Sequence, residues 1–281
     1  VAAPLGLVAG AGALPREIAR AAGRAGRPVV AVAFRGLTDP ELGESVGETA
    51  WLHLGELEAL VGALRERGVV EAVLAGKVAK SALYGDPLPH RPDALALELL
   101  AGLRDRRDGA ILAALADLLE TRGIRLLPQA ALVPELLAGE GPLGARAPSP
   151  DEWADLRFGW RAARRLAELG AGQTAVVKDR AVLALEAVEG TDEAIRRGGR
   201  LGGPGACVVK LAGPSCDPRF DLPAVGPVTL SVLREVGVRA LAVEAGRTVV
   251  LERERFREGA DAAGLTVVGC PPEGPVEGAD A

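Results

Sequence analysis

Aromatic side chains make up only 3% of the 281 residues, methionine is absent, and the chain has two histidines and three cysteines. Each scarcity excludes something. With so few rings, the interior has to be filled by Ala, Val and Leu, which implies close, backbone-rich packing. Cys207, Cys216 and Cys270 are odd in number and lack C-x-x-C or Cys/His spacing, so neither a disulfide framework nor a zinc site is indicated. Reduced thiols in the cytoplasm are the simplest reading. His53 and His90 stand alone, without the clustered ligands that zinc needs. No apolar run approaches the roughly 18–20 residues of a membrane-spanning helix, and the opening segment lacks the basic, apolar, small-residue pattern of a secretory leader. Basic residues are scattered and the net charge is −5. A nucleic-acid partner is not expected, because counterion release needs a concentrated positive surface.

What is present is a globular composition, 48% hydrophobic and 25% charged, at a length comfortable for two domains. Residues 5–9 form a short apolar run that reads as a buried strand, followed by Gly10-Ala11-Gly12-Ala13-Leu14-Pro15. A helix is predicted over 16–25 and a second apolar strand over 28–34. That β-loop-α-β order is the nucleotide-binding half of a doubly wound sheet. Gly10, Gly12 and Ala13 then sit where backbone can approach a phosphate at a helix N-terminus, or simply make a tight turn. The missing third glycine, and Arg35 where an acidic residue would bind a ribose, argue against NAD. A helix over 56–67 and a strand over 69–74 lead to Gly76 and Lys77, beyond the carboxyl end of that strand. Lys77 and Lys80 are two of only four lysines. Helices over 94–103 and 109–121 and a strand over 124–127 complete this half.

Glycines and prolines crowd residues 139–150, marking a linker. A helix over 151–169, capped by Ser149 or Asp151, precedes a strand-rich half with strands at 174–178, 181–188, 206–210, 240–244, 249–251 and 265–269. The expected fold is α/β: a Rossmann-like open-sheet domain over 1–135, a linker and connecting helix over 136–170, and a C-terminal α/β domain richer in strands over 171–281.

Carboxylates gather in two places. Glu186, Glu189 and Asp192 fall within seven residues where a strand hands over to a helix, so Thr191 or Asp192 is also an N-cap candidate. Prolines at 214, 218, 223 and 227 rule out a helix interior or a central strand, and make a stiff loop. On it Asp217 and Asp221 bracket Arg219. Carboxylates on such a loop can hold Mg²⁺ or Mn²⁺, and an arginine fork matches phosphate oxygens. A plain surface turn with an internal ion pair is the alternative.

Taken together, residues 5–15, Ala75-Gly76-Lys77-Val78, Gly172-Gln173, Glu189-Gly190-Thr191-Asp192 and Asp217-Pro218-Arg219-Phe220-Asp221-Leu222-Pro223 resemble the metal-dependent UDP-2,3-diacylglucosamine pyrophosphatases of lipid A biosynthesis. The resemblance implies hydrolysis of UDP-2,3-diacylglucosamine to UMP and 2,3-diacylglucosamine 1-phosphate (lipid X), by water attack at the α-phosphorus with Mg²⁺ or Mn²⁺ present. It also implies a homodimer and a cytoplasmic location with contact at the face of the inner membrane. By motif position, the family's essential aspartate falls on Asp221. Gln173, Thr191, Asp192, Lys210 and Arg219 are carried over as site residues, with Asp217 and Asp192 beside Asp221 in catalysis and Asp221, Asp217 and Glu189 as metal ligands. Which carboxylate is ligand and which is base stays open. The family's usual lysine and glutamine are replaced here by Gly213 and Cys216. Two readings from other classes are a non-catalytic carrier of nucleotide sugar or lipid, and a Rossmann-type nucleotide-cofactor enzyme.

Overall fold

A computed structural model of the chain describes residues 2–78, 91–103, 108–214 and 216–275. Contacts divide it into two compact units, Val1–Pro134 with Asp217–Asp221, and Glu135–Cys216 with Leu222–Ala281.

The first unit follows the apolar runs. Its elements are β1 (Leu5–Ala9), α1 (Leu14–Arg24), β2 (Val29–Phe34), α2 (Leu42–Ser45), β3 (Glu48–Leu52), α3 (Leu57–Arg65), β4 (Glu71–Ala75), α4 (Ala94–Ala101), α5 (Asp108–Thr121), β5 (Arg125–Leu126) and α6 (Gln129–Leu132). The strands form one parallel sheet in the order β3-β2-β1-β4-β5, a doubly wound sheet. Every residue of β1 is buried, as a central parallel strand covered on both faces requires. β3 is missing from the sequence reading, because Glu-Thr-Ala-Trp-Leu at the sheet edge is partly exposed throughout and carries no apolar run.

The second unit holds β6 (Gly141–Pro142), α7 (Pro150–Glu168), β7 (Thr174–Lys178), β8 (Ala181–Leu185), α8 (Thr191–Gly202), β9 (Cys207–Lys210), β10 (Ala224–Val225), α9 (Pro227–Glu235), β11 (Ala240–Glu244), β12 (Val249–Val250), α10 (Arg253–Ala262) and β13 (Thr266–Cys270). Its six-stranded mixed sheet runs β6-β13-β11-β9-β7-β8. β9, β11 and β13 are parallel, and β6 and β7 run antiparallel to their neighbours. The Gly/Pro-rich stretch read as linker therefore contains an edge strand, β6. Of the two predicted caps of α7, Ser149 is the one used, in a capping box with Glu152. The strand predicted to reach 188 stops at Leu185. Neither Thr191 nor Asp192 caps α8: Gly190 is the N-cap residue, and both lie in the first turn.

Scarce rings do lead to close packing. A Cβ on Gly198 would stand 2.6 Å from Val176, and one on Gly199 would stand 2.3 Å from Val236. All three cysteines are buried, and burial pushes the thiols of Cys207 and Cys270 up to about 12. Lys80 and His90 lie outside the described residues.

The β7–β8 turn places Asp179 and Arg180 at positive φ, 51° and 57°. Buried Asp155 on α7 holds that turn by accepting from the backbone N–H groups of Asp179 at 3.0 Å and Arg180 at 2.6 Å. Asp155→Ala should lower stability by about 1–3 kcal/mol in urea unfolding of the full chain, and an unchanged midpoint would show that the hairpin holds its own turn.

Candidate functional site

Loops at the carboxyl edge of the first unit's sheet are knitted to one another. Gly10 N–H donates to Ala75 O at 2.7 Å, and Ala11 and Lys77 exchange backbone bonds at 2.9 Å each way. A Cβ on Gly10 would lie 2.9 Å from Lys77 O, and one on Gly76 would lie 2.7 Å from Ala11 O. Gly10 therefore has a packing reason for being glycine. Gly12 differs: its φ is +94° and a Cβ there would meet nothing within 4 Å. It is exposed beside Ala13, the N-cap residue of α1, which caps with no side-chain bond. Lys77, bridged to Ala11, is exposed beside this loop.

Residues Asp217–Asp221 belong to this same unit. Phe220 is buried among the apolar residues that surround β4, β5 and α5. Pro218 O accepts from Gln129 N–H at 3.0 Å, and the Gln129 side chain, 2% exposed, donates to Leu74 O at 2.7 Å. Asp217 O accepts from the N–H groups of Phe220 at 3.2 Å and Asp221 at 2.9 Å, closing one turn. Side chains tighten it further. Arg219 grips Asp217 through Nε (3.1 and 3.2 Å) and Nη2 (2.8 Å), and its Nη1 reaches Glu120 of α5 at 2.9 Å. The guanidinium also stands 5.6 Å from the Phe220 ring centroid, within cation–π range. Hydrogen bonding from the Arg219 side chain holds the Asp217 carboxyl below the usual range, against the opposing effect of partial burial.

In the second unit, Gln173, Thr191 and Lys210 gather at one end of β7 and β9. Thr174 is in register with Lys210, and Gln173 O accepts from Leu211 N–H at 3.1 Å. Lys210 is buried, 7% exposed, and donates from Nζ to Ala224 O at 2.9 Å. Buried Glu186 organises the group: its Oε1 accepts from the Thr191 hydroxyl at 3.0 Å and its Oε2 from Gln173 N–H at 3.2 Å. Asp192 follows in the first turn of α8, half-buried. Glu189 turns elsewhere, to an ion pair with Arg197, beside an open hollow of about 420 Å³ that Ala187, Glu193 and Arg200 also line. Burial alone would raise the Glu189 pKa, but hydrogen bonds from backbone N–H groups and Arg197 leave it lowered.

The predicted residues thus fall into separate groups: Gly12 and Ala13 at the α1 end, Asp217, Arg219 and Asp221 in one pinned turn, and Gln173, Thr191, Asp192 and Lys210 around Glu186. Sequence reasoning missed Glu120 and Gln129. No signal ties them to the loop, since Glu120 lies 99 positions from Arg219. Among the described residues no group of three or more His, Cys, Asp or Glu is placed to hold a metal ion. Asp217 and Glu189 each face an arginine, so as placed they do not fit a divalent cation.

Fold and site together define a protein of two α/β units, with a Rossmann-type sheet bearing a charged turn at one end and a mixed sheet bearing a lysine-threonine cluster. Residues 4–136 match the LpxI N-terminal domain and 139–268 match the LpxI C-terminal domain. A relative from Caulobacter vibrioides, UDP-2,3-diacylglucosamine pyrophosphatase LpxI, is 34% identical over 283 residues, covering 96% of this chain and 98% of its own. The chain belongs to the LpxI family. Among solved structures, the biotin carboxylase domain of a thermophilic 2-oxoglutarate carboxylase bound to ADP matches at a TM-score of 0.27 and 16% identity, over 61% of this chain and 34% of that one. The biotin carboxylase subunit of pyruvate carboxylase matches at 0.28 and 14%, over 67% of this chain and 39% of that one. This chain spans 34% and 39% of their lengths.

The sign of the Asp217 shift gives a test. Its folded pKa is below the ordinary 3.8, so its contribution to stability is complete above that value and is lost as pH falls through the depressed one. Arg219→Met should bring the Asp217 titration midpoint, followed by carboxyl NMR, back toward 3.8. A midpoint that does not move would mean that the guanidinium does not hold the loop.

Proposed function

We propose that this chain hydrolyses the pyrophosphate bond of UDP-2,3-diacylglucosamine, releasing UMP and 2,3-diacylglucosamine 1-phosphate. The observation that carries the reading is the relative of that activity, matched at 34% identity over 96% of this chain. The chemistry of the residues supports it. A pyrophosphate diester is anionic, and the leaving phosphate gains charge, so placed cations and hydrogen-bond donors must stabilise the transition state. Lys210 and the side-chain amide of Gln173 supply donors for phosphate oxygens, while the Thr191 hydroxyl, given to Glu186, orders the cluster beside them. Asp221 closes a turn whose backbone is fixed by Asp217 O, and in this reading it positions the attacking water and takes its proton. Arg219 is engaged by Asp217 and Glu120. It holds the carboxylate loop first and can meet a phosphate only by exchanging Glu120, whose side chain is 45% exposed. Gly12 and Ala13 leave an open helix end for a phosphate or ribose of the uridine half.

A requirement for Mg²⁺ or Mn²⁺ is a separate part of the proposal: with Asp217 and Glu189 engaged by arginines, the ion would be held chiefly by the substrate's own phosphate oxygens. A homodimer and contact with a membrane face are further parts of it. Among the described residues no helix is long and apolar enough to cross a membrane.

Purified protein given UDP-2,3-diacylglucosamine should release UMP, more so with Mg²⁺ or Mn²⁺ than with EDTA, and Asp221→Ala should lower the rate at least about 100-fold. Full activity in Asp221→Ala would remove that residue from the chemistry, and no UMP with any metal would overturn the reading. Hydrolysis in ¹⁸O-labelled water locates the attack: label in UMP is the result expected for the α-phosphorus, and label in the sugar phosphate would move it to the β-phosphorus.

A further inference from the structure

Glu244 ends β11, at the carboxyl edge of the parallel strands of the second unit, and its carboxylate is 0% exposed. Removing a carboxylate from water is costly unless it is closely paired. Only one of its two oxygens is hydrogen-bonded. Arg247 Nη1 donates to Oε1 at 3.2 Å, and Arg164 Nη2 stands 3.7 Å from Oε2, an oxygen left buried without a hydrogen-bond partner. Apolar replacements of buried ion pairs are often neutral or stabilising, so stability alone is a poor reason for this charge.

The other ends of the two guanidiniums show what the charge does. Arg164, on α7, donates to Ala212 O at 3.2 Å and also to Pro272 O. Arg247, in the turn after β11, donates to Gly213 O at 3.1 Å. Two arginines oriented by one buried carboxylate therefore clamp the carbonyls of residues 212 and 213. The segment they clamp directly follows Lys210, and its first residue, Leu211, is bonded to Gln173.

We infer that Glu244 is a positioning residue: by fixing Arg164 and Arg247 it holds residues 211–213 in place, and with them Lys210 and Gln173 where they meet the substrate's phosphate. The inference rests on the pyrophosphatase reading and extends it to three side chains that touch no substrate. The lysine is a point charge whose worth depends on distance, so loosening its backbone should weaken substrate binding in ground and transition state alike.

The test is steady-state UMP release by full-length Glu244→Leu and Glu244→Gln, beside thermal melting. In Glu244→Leu, KM should rise about tenfold while kcat changes by less than about threefold, measured at a temperature where melting shows the variant still fully folded, because removing one partner of a buried pair lowers stability. Glu244→Gln, which keeps an acceptor for Arg247 but not the charge, should fall between. If Glu244→Leu does not fold, Arg247→Gln supplies the same comparison. Unchanged KM in a folded variant would overturn the inference, as would a loss confined to kcat or a loss that tracks the folded fraction. A parent protein that releases no UMP would overturn the functional reading, and the inference with it.

Discussion

Phe220 belongs by sequence to the second half of the chain and by packing to the first unit's core. A buried phenylalanine is worth several methylene groups of transfer free energy, on the order of 2–3 kcal/mol. That burial adds to the bonds that pin the turn, among them the one from buried Gln129 to Pro218 O. Everything charged on the loop is oriented from this anchor. The ring is flanked by Arg219 and Asp221, Arg219 folds back over the ring toward Asp217, and Glu120 on α5 takes its remaining side. Proline at 218 leaves a carbonyl for Gln129 and removes a donor that would need a partner.

The two units solve the same problem differently. In the first, Asp217 sits in a surface turn paired with Arg219, which favours its ionised form. In the second, Glu186 and Glu244 are buried, and each orders groups around it, threonine and backbone amide in one case and two arginines in the other. Buried carboxylates of this kind are expensive. Both lie at strand ends, Glu186 just past β8 and Glu244 at the end of β11, where ligands of α/β sheets are met.

How much of this was legible in the sequence follows from the range of the interactions. The runs 5–9, 29–34 and 71–75 are buried strands because nothing but a doubly covered sheet accepts such apolarity, and Ser149 with Glu152 announces the start of α7 locally. β3 and β6 were not legible, since an exposed edge strand needs only a partner and no pattern of its own. The pinned turn was half visible: four prolines and the Asp-x-Arg-x-Asp spacing predicted a stiff charged loop. Its anchorage by Phe220, Gln129 and Glu120 depends on residues about 90 to 100 positions away and on no local rule. The proposed N-cap role of Thr191 failed because Glu186, five residues earlier, claims its hydroxyl, leaving the cap to Gly190.

If Phe220, buried in the first unit's core, places the Asp221 turn for hydrolysis, its removal should act on catalysis without unfolding the chain. The most direct measurement is kcat for UMP release by Phe220→Ala, with melting and circular dichroism to show that the protein is folded. The expected result is a folded protein whose kcat falls about 100-fold, the effect of a misplacement of about 1 Å near a site of chemistry. A folded variant with the parent kcat would contradict it.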